Sequence, residues 1–251
     1  MKFIPNALST NTLLKELIQA GELSGRPLEN FFALYTNHQS NGRGMGSNRW
    51  FSDDGRNILA SFHFLPEIPA QKQFLFNIYF ALCTADFLDR YTSNVEIKWP
   101  NDIYIRRHKV AGILIEHSIR GHHIHHTIAG IGININQDRF PDDVPYPTSL
   151  FLETGVQHSP TQLLNEYYEL LKDRFSMLNT ENEKLLRDRY LQRLYQHNEY
   201  HSYLIGGTQC TARIVGLDPY GQLLLETLDG KTQACAFKEV VYLRTEDEPR
   251  P

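Results

Sequence analysis

Residues 98–116, KWPNDIYIRRHKVAGILIE, constrain the fold of this chain more than any other stretch. Ile97, Trp99, Ile103 and Ile105 place apolar residues along one short run, and Val110, Ala111, Ile113, Leu114 and Ile115 do so along a second. Between them Arg106-Arg107-His108-Lys109 reads as a solvated hairpin tip, and Pro100 marks a bulge or edge in a strand over 95–105. Asn101-Asp102 inside such an apolar sheet costs free energy unless hydrogen-bonded, so the pair is either a structural turn or a binding site. The spacing favours a site: Lys109 begins the second strand and comes close to Asp102 across the ladder.

The rest of the chain alternates strand and helix signals. Ser9-Thr10-Asn11 caps a short helix that Gly21 stops. Strands are expected over 31–36, 58–65, 110–119 and 123–136. A long helix is expected over 71–91, where Leu75, Ile78, Tyr79 and Leu82 recur at helical spacing. Ser159-Pro160 opens another to about residue 177, and a further one covers 180–196. From residue 201 the pattern changes to short β-like runs with turn signals at Gly206-Gly207, Asp218-Pro219-Tyr220-Gly221 and Asp229-Gly230. The expected division is 1–197 and 198–251, a large domain and a small β-barrel or SH3-like module. The charged tail 245–251 is expected to fray.

Three further segments bear on function. The loop Gly42-Arg43-Gly44-Met45-Gly46-Ser47-Asn48-Arg49-Trp50 has alternate glycines that let backbone N–H groups approach an anion, with arginines to complete the cradle. It matches neither a dinucleotide fingerprint nor a P-loop. As a loop with few apolar anchors it is expected to order around an anion and act as a lid. Gly130-Ile131-Gly132-Ile133-Asn134 puts two glycines on one strand face, suiting a packed helix or a flat ligand equally. His122-His123-Ile124-His125-His126 is better read as a solvated hairpin than as a metal site, because neighbouring strand residues point to opposite faces.

The composition excludes broad classes. A formal net charge of -4, from 25 Lys+Arg against 29 Asp+Glu, argues against a general nucleic-acid or anionic-membrane surface. Cys83, Cys210 and Cys235 lack metal-type spacing and read as reduced thiols. The first residues, MKFIPNALSTNTLLKELI, lack a signal-peptide core, and no apolar run approaches 18 residues. The expectation is a soluble, cytoplasmic protein.

Taken together the motifs resemble the biotin–protein ligase family: Ser9 to Asn11, Gln39 leading to Gly42 to Gly44, Trp50, Lys98 to Asp102, Lys109 to Glu116, and Gly130 to Asn134, in the family's order. The resemblance implies an α+β fold, with a mixed sheet and flanking helices similar to class II aminoacyl-tRNA synthetases, plus a C-terminal SH3-like domain. It implies biotin as substrate, ATP and Mg2+, and a biotin carboxyl carrier domain of an acyl-CoA carboxylase as partner. Lys109, Arg43, Asp102 and Lys98 are implied to be catalytic. Ser9, Thr10, Asn11 and Gln39 would hydrogen-bond biotin, with Arg43, Gly44 and Lys109 at its carboxylate. Gly112, Gly130 and Gly132 would leave room for its ring and tail. Arg43, Gly44, Met45, Trp50, Asn101, Lys109 and Asn134 would hold the adenylate, with Trp50 near the adenine and Asp102 on the metal side.

Many relatives carry Arg or Gln where this chain has Met45, and often Arg where it has Asn48. Met cannot donate a hydrogen bond to phosphate, so a looser hold on the adenylate is expected unless Arg49 takes over. A lipoate or octanoate ligase of the same superfold is disfavoured by the polar set, since a linear acyl chain has no ureido group to satisfy it. With eight residues before Ser9, a winged helix-turn-helix is not expected, and a DNA-binding repressor with it. A biotin-binding regulator without that domain would be expected to lose Lys109 or Arg43. A homodimer is left open.

Overall fold

The computed structural model describes residues 1–21 and 29–244. The tail 245–251, and the expectation placed on it, lie outside the described residues. The principal sheet comprises β1 (Lys2–Ala7), β2 (Ala33–Gln39), β3 (Ile58–Phe64), β4 (Val95–Lys98), β5 (Asp102–Ile105), β6 (His108–Arg120) and β7 (His123–Ile133). Its order is β1-β2-β3-β7-β6-β5-β4, with β1 parallel to β2 and every other neighbour antiparallel.

The helices are α1 (Thr10–Ala20), α2 (Gln73–Leu88), α3 (Leu150–Thr154), α4 (Pro160–Arg174) and α5 (Glu183–Gln192). Helix α1 covers one face of the sheet, closing a small cluster of Leu14, Leu34 and Ile128. On the other face α2 is apolar around most of its circumference, as a helix enclosed by sheet and helices must be. Phe62, Phe64, Phe76, Phe80 and Tyr167 interlock there with centroids 5.1–6.2 Å apart. Strand β3 is therefore buried at all its positions. Helices α2, α4 and α5 are pinned by one buried carboxylate: Asp86 meets Arg174, and lies 2.9 Å from both Arg189 and Arg193.

Residues 200–242 form a second, antiparallel sheet of β8 (Tyr200–Ile205), β9 (Thr208–Leu217), β10 (Leu223–Thr227), β11 (Thr232–Cys235) and β12 (Val240–Tyr242), ordered β11-β10-β9-β8-β12. Its Asp218–Gly221 turn docks on the β4–β5 turn and on α2 and α5. Trp99 Nε1 donates to the Gly221 carbonyl at 2.9 Å, and Arg187 donates to the carbonyls of Asp218 and Pro219 at 3.0 and 2.8 Å. Gly221 has φ +90 and lies against Phe74 so closely that an added Cβ would be 2.1 Å from its ring.

Several boundaries differ from expectation for local reasons. The expected strand over 95–105 is two antiparallel strands, with Lys98 opposite Asp102 and Trp99–Asn101 forming the turn between them. Pro100 lacks the N–H that a continuous ladder needs, and its peptide with Trp99 is cis. The hairpin tip is Arg106-Arg107, both at positive φ, and Lys109 lies inside β6 rather than at the tip. Strand β2 starts at Ala33 because Phe31 has φ +68, and β7 ends at Ile133. The helix expected over 180–196 spans only Glu183–Gln192, and Gln196 has φ +63. The histidine-rich segment follows the exposed β6–β7 turn, and among the described residues no three His, Cys, Asp or Glu side chains converge on a metal position.

Three histidines in the principal sheet give the fold an acid limit. Burial pushes His117 and His126 down to about 4, and lowers His63. They are neutral when folded but protonate near pH 6.5 when unfolded, so the unfolded state binds more protons below that value. Stability is expected to fall as pH drops from about 6.5 toward about 4. Urea midpoints measured across this range should show it. Replacing His117 with Asn should flatten the profile, and an unaltered slope would exclude His117 as a contributor.

Candidate active site

The C-terminal ends of β1 and β2, the first turn of α1, the Gly42–Trp50 loop, the β4–β5 turn and the glycine faces of β6 and β7 surround a cavity of about 280 Å³. Ser9, Thr10, Asn11, Gln39, Arg43, Gly44, Met45, Trp50, Lys98, Asn101, Asp102, Lys109, Gly112, Gly130 and Gly132 all line it. These residues span more than 120 positions of sequence, and the antiparallel order β3-β7-β6-β5 brings them together.

One end is polar and largely buried. Gln39 Oε1 accepts from the Thr10 N–H at 2.8 Å; Ser61 Oγ lies 2.7 Å from Thr10 Oγ1 and donates to Asn11 Oδ1 at 2.5 Å. Asn11 Nδ2 donates to the Leu114 carbonyl at 3.2 Å and to Glu116 Oε2 at 3.0 Å. Ser9 holds the extended N-cap position of α1 without a side-chain cap bond, so its role there is not the capping expected of it. Ser61 and Glu116 complete this network; Glu116 closed the Lys109 to Glu116 motif without being given a role, and Ser61 was not singled out from sequence. A buried serine on the apolar strand β3 was the available signal.

The other end is charged. Lys109 Nζ lies 2.7 Å from Asp102 Oδ1, each side chain about a quarter exposed at 29% and 26%. Asp102 pairs in register with Gly112, and Tyr104 with Lys109; a register shift between Ile103 and Tyr104 lets the lysine reach the carboxylate. The backbone of Lys109 is clasped by the segment before α3, donating to the Tyr146 carbonyl at 2.7 Å and accepting from Thr148 N at 2.9 Å. Lys98 Nζ donates to Tyr104 Oη at 3.2 Å and lies over the rings of Tyr242 and Tyr104 at 4.8 and 5.3 Å. Burial lowers the Lys98 pKa, and Asp102 opposes that shift.

The glycine floor is occupied by the protein's own side chains. A Cβ on Gly132 would lie 2.3 Å from the Trp50 indole, one on Gly112 2.9 Å from it, and one on Gly130 2.1 Å from Asn11 Oδ1. In this structure the glycines accommodate Trp50 and Asn11, in place of the expected open slot for a flat ligand. Trp50 Nε1 is buried there without a partner among the described residues. The indole also anchors the loop, which is laced by an Arg43–Arg49 bridge, Gly44 N to Asn48 O at 2.8 Å, and Trp50 N to Gly42 O at 3.0 Å. It is a small hairpin with one large apolar anchor, more built than its composition suggested. Arg43 is drawn to Glu116 at 3.5 Å and Thr12 at 3.4 Å.

The two asparagines differ. Asn101 lines the cavity but its Nδ2 donates to the Ile113 carbonyl, fastening the turn to β6. Asn134 stands outside the cavity wall: its Nδ2 donates to the Thr148 carbonyl at 2.9 Å, and its Oδ1 is buried without a partner among the described residues. Phe237, Val240, Val241 and Tyr242 of the second sheet complete the wall. Nothing local in the sequence marks them, because their place depends on how the two sheets dock.

A slot with a hydrogen-bonding end and a cation–carboxylate end can hold a molecule with a polar head and an anionic tail, and stabilise charge that develops at the tail. Comparison with known proteins agrees in class. Residues 5–134, just over half of the chain, match the biotin/lipoate A/B protein ligase family. The chain belongs to that family. It is 30% identical over 233 residues to a bifunctional ligase/repressor of Bacillus spizizenii, covering 84% of this chain and 66% of that protein. It is 25% identical over 221 residues to a biotin–[acetyl-CoA-carboxylase] ligase of Mycobacterium tuberculosis, covering 84% and 79% of the two chains. The fold superposes on a biotin protein ligase from Aquifex aeolicus, solved with biotin and ATP, with a TM-score of 0.78 at 24% identity, covering 97% and 98%. The chain thus spans about two thirds of the length of the Bacillus relative.

Proposed function

We propose that this chain is an ATP-dependent biotin–protein ligase. The observation that carries the reading is a single cavity with Ser9 and the Thr10–Asn11–Gln39–Ser61 hydrogen-bond network at one end and the Lys109–Asp102 pair at the other. Biotin has a ureido ring for the first and a carboxylate for the second. That carboxylate attacks the α-phosphorus of ATP, the α–β phosphoanhydride bond breaks, and pyrophosphate leaves. A neutral lysine amine of a biotin carboxyl carrier domain then attacks the acyl carbon. The acyl C–O bond breaks, AMP leaves, and the amine proton passes to Asp102. Charge grows on phosphate oxygens in the first step, where Lys109 stands, and Lys98, Arg43 and Arg49 are the further cations of the cavity wall. An acceptor lysine has an unperturbed pKa of about 10.4, so it must lose a proton before it reacts, and Asp102 serves as a base that accepts a proton rather than as a charge that lowers that pKa.

Mg2+ would enter with ATP as its complex. Among the described residues no side-chain set could hold it alone, and Asp102 is the one carboxylate in the cavity wall. The same reading takes residues 1–197 as the catalytic domain, related to the class II synthetase fold, and 198–251 as an SH3-like module. It also takes a carboxylase carrier domain as partner and the cytoplasm as location; no helix among the described residues is long and apolar enough to cross a membrane.

The discriminating experiment supplies MgATP with biotin or with lipoate, measures pyrophosphate, and then weighs a carrier domain by mass spectrometry. Biotin should release pyrophosphate and add one biotinyl group to the carrier. Equal release with lipoate would overturn the substrate, because the polar end would then have no counterpart.

A further inference from the structure

The Gly42–Trp50 loop has its cations at its base. Arg43 and Arg49 face each other as a bridged pair, and Arg43 is turned toward Glu116 and Thr12. Between them the N–H groups of Gly44 and Asn48 are donated within the loop, which leaves those of Met45, Gly46 and Ser47 and no full positive charge. Backbone donors alone hold a highly charged anion less well than donors joined by a cation.

A second element brings one. The turn between β11 and β12 is closed by Glu239, which donates its N–H to the Ala236 carbonyl at 3.1 Å and accepts from Ala236 N through its carboxylate at 2.7 Å. In that turn Lys238 adopts φ +76, a left-handed conformation uncommon for a side-chain-bearing residue. Its ammonium reaches the tip of the glycine loop: an added Cβ on Gly46 would lie 2.9 Å from Lys238 Nζ and 3.2 Å from Cε. The neighbours Phe237, Val240 and Val241 line the cavity, so the turn adjoins its wall. Lys238 is exposed and, among the described residues, is paired with no carboxylate.

We infer that Lys238 is a nucleotide-binding residue, supplying from the second sheet the cation for the β- and γ-phosphates of ATP that the loop tip lacks. This rests on the proposed ligase reading, in which the α-phosphate lies at Lys109. The remaining phosphates then extend toward solvent, because pyrophosphate must leave, and Lys238 is the exposed cation beside the loop tip. Exposure makes the contact sensitive to ionic strength.

Lys238→Met keeps the length and backbone preference of an exposed side chain, and Lys238→Arg keeps the charge. Steady-state pyrophosphate release and biotin titration of the three proteins test the assignment. Lys238→Met should raise the KM for ATP about tenfold at low salt, the scale of one charge-assisted phosphate contact. Lys238→Arg should stay near wild type, and the biotin Kd should not move in either variant. An unchanged KM for ATP in Lys238→Met would overturn the inference. So would an equal loss of biotin affinity, which would make Lys238 a strut for the loop. If the wild type releases no pyrophosphate with biotin, the ligase reading fails. Calorimetric titration of ATP alone then still decides Lys238: weaker binding by Lys238→Met supports it, and equal binding overturns it.

Discussion

Lys109→Ala is expected to slow pyrophosphate release with biotin and MgATP by at least about 10²-fold, the scale for losing one preorganised donor to a developing charge. The ammonium is held in place by the protein's own groups. Its backbone is clasped on both sides by Tyr146 and Thr148, and its Nζ is held at 2.7 Å from Asp102. A group fixed in this way needs no reorganisation as the transition state forms, so its removal is felt mainly in the rate. Biotin affinity should fall less, because the Thr10–Gln39 and Asn11–Ser61 end of the cavity remains intact. Single-turnover rates and equilibrium titration separate the two effects. Near-normal turnover in the variant would reduce Lys109 to a strand lysine and remove the catalytic assignment.

The second large effect is on stability. Asp86→Ala should lower the free energy of unfolding by about 3 kcal/mol, the lower part of the range for removing one partner of a buried ion pair. The Asp86 side chain is 8% exposed, and its removal leaves Arg174, Arg189 and Arg193 facing one another across α2, α4 and α5. Each of those arginines keeps roughly a third of its surface in water, which places the cost at the lower end. Asp86→Asn should be nearly as damaging, since the amide keeps the shape but lacks the charge. Denaturant unfolding of both variants checks this. A loss below about 1 kcal/mol would show the cluster to be an ordinary surface network.

The residues of the cavity were legible where the signal was local. KWPND and the following KxxG run placed Lys109 near Asp102, and the 2.7 Å pair bears this out, although the strand break at Trp99–Asn101 was missed. A proline among apolar residues announces an interruption but not whether the chain bulges or reverses. The glycines at 112, 130 and 132 announced close approach. What approaches them, Trp50 and Asn11, could not be read from strands alone.

Sequence by itself determined the helix starts at Thr10 and Pro160, the glycine faces of β6 and β7, and the polar and charged residue types of the site. These follow from the Ser159 cap at Pro160, from periodicity and from side-chain chemistry, all set within a few residues of each other. Tertiary structure alone decided that Asp86 gathers three arginines, that Ser61 and Glu116 join the polar end, that Tyr242 reaches the site from the second sheet, and that Lys238 meets the tip of the glycine loop. Those contacts join residues up to about 190 positions apart. They depend on how two sheets and three helices exclude water together, a sum over many weak burial terms that no local pattern encodes.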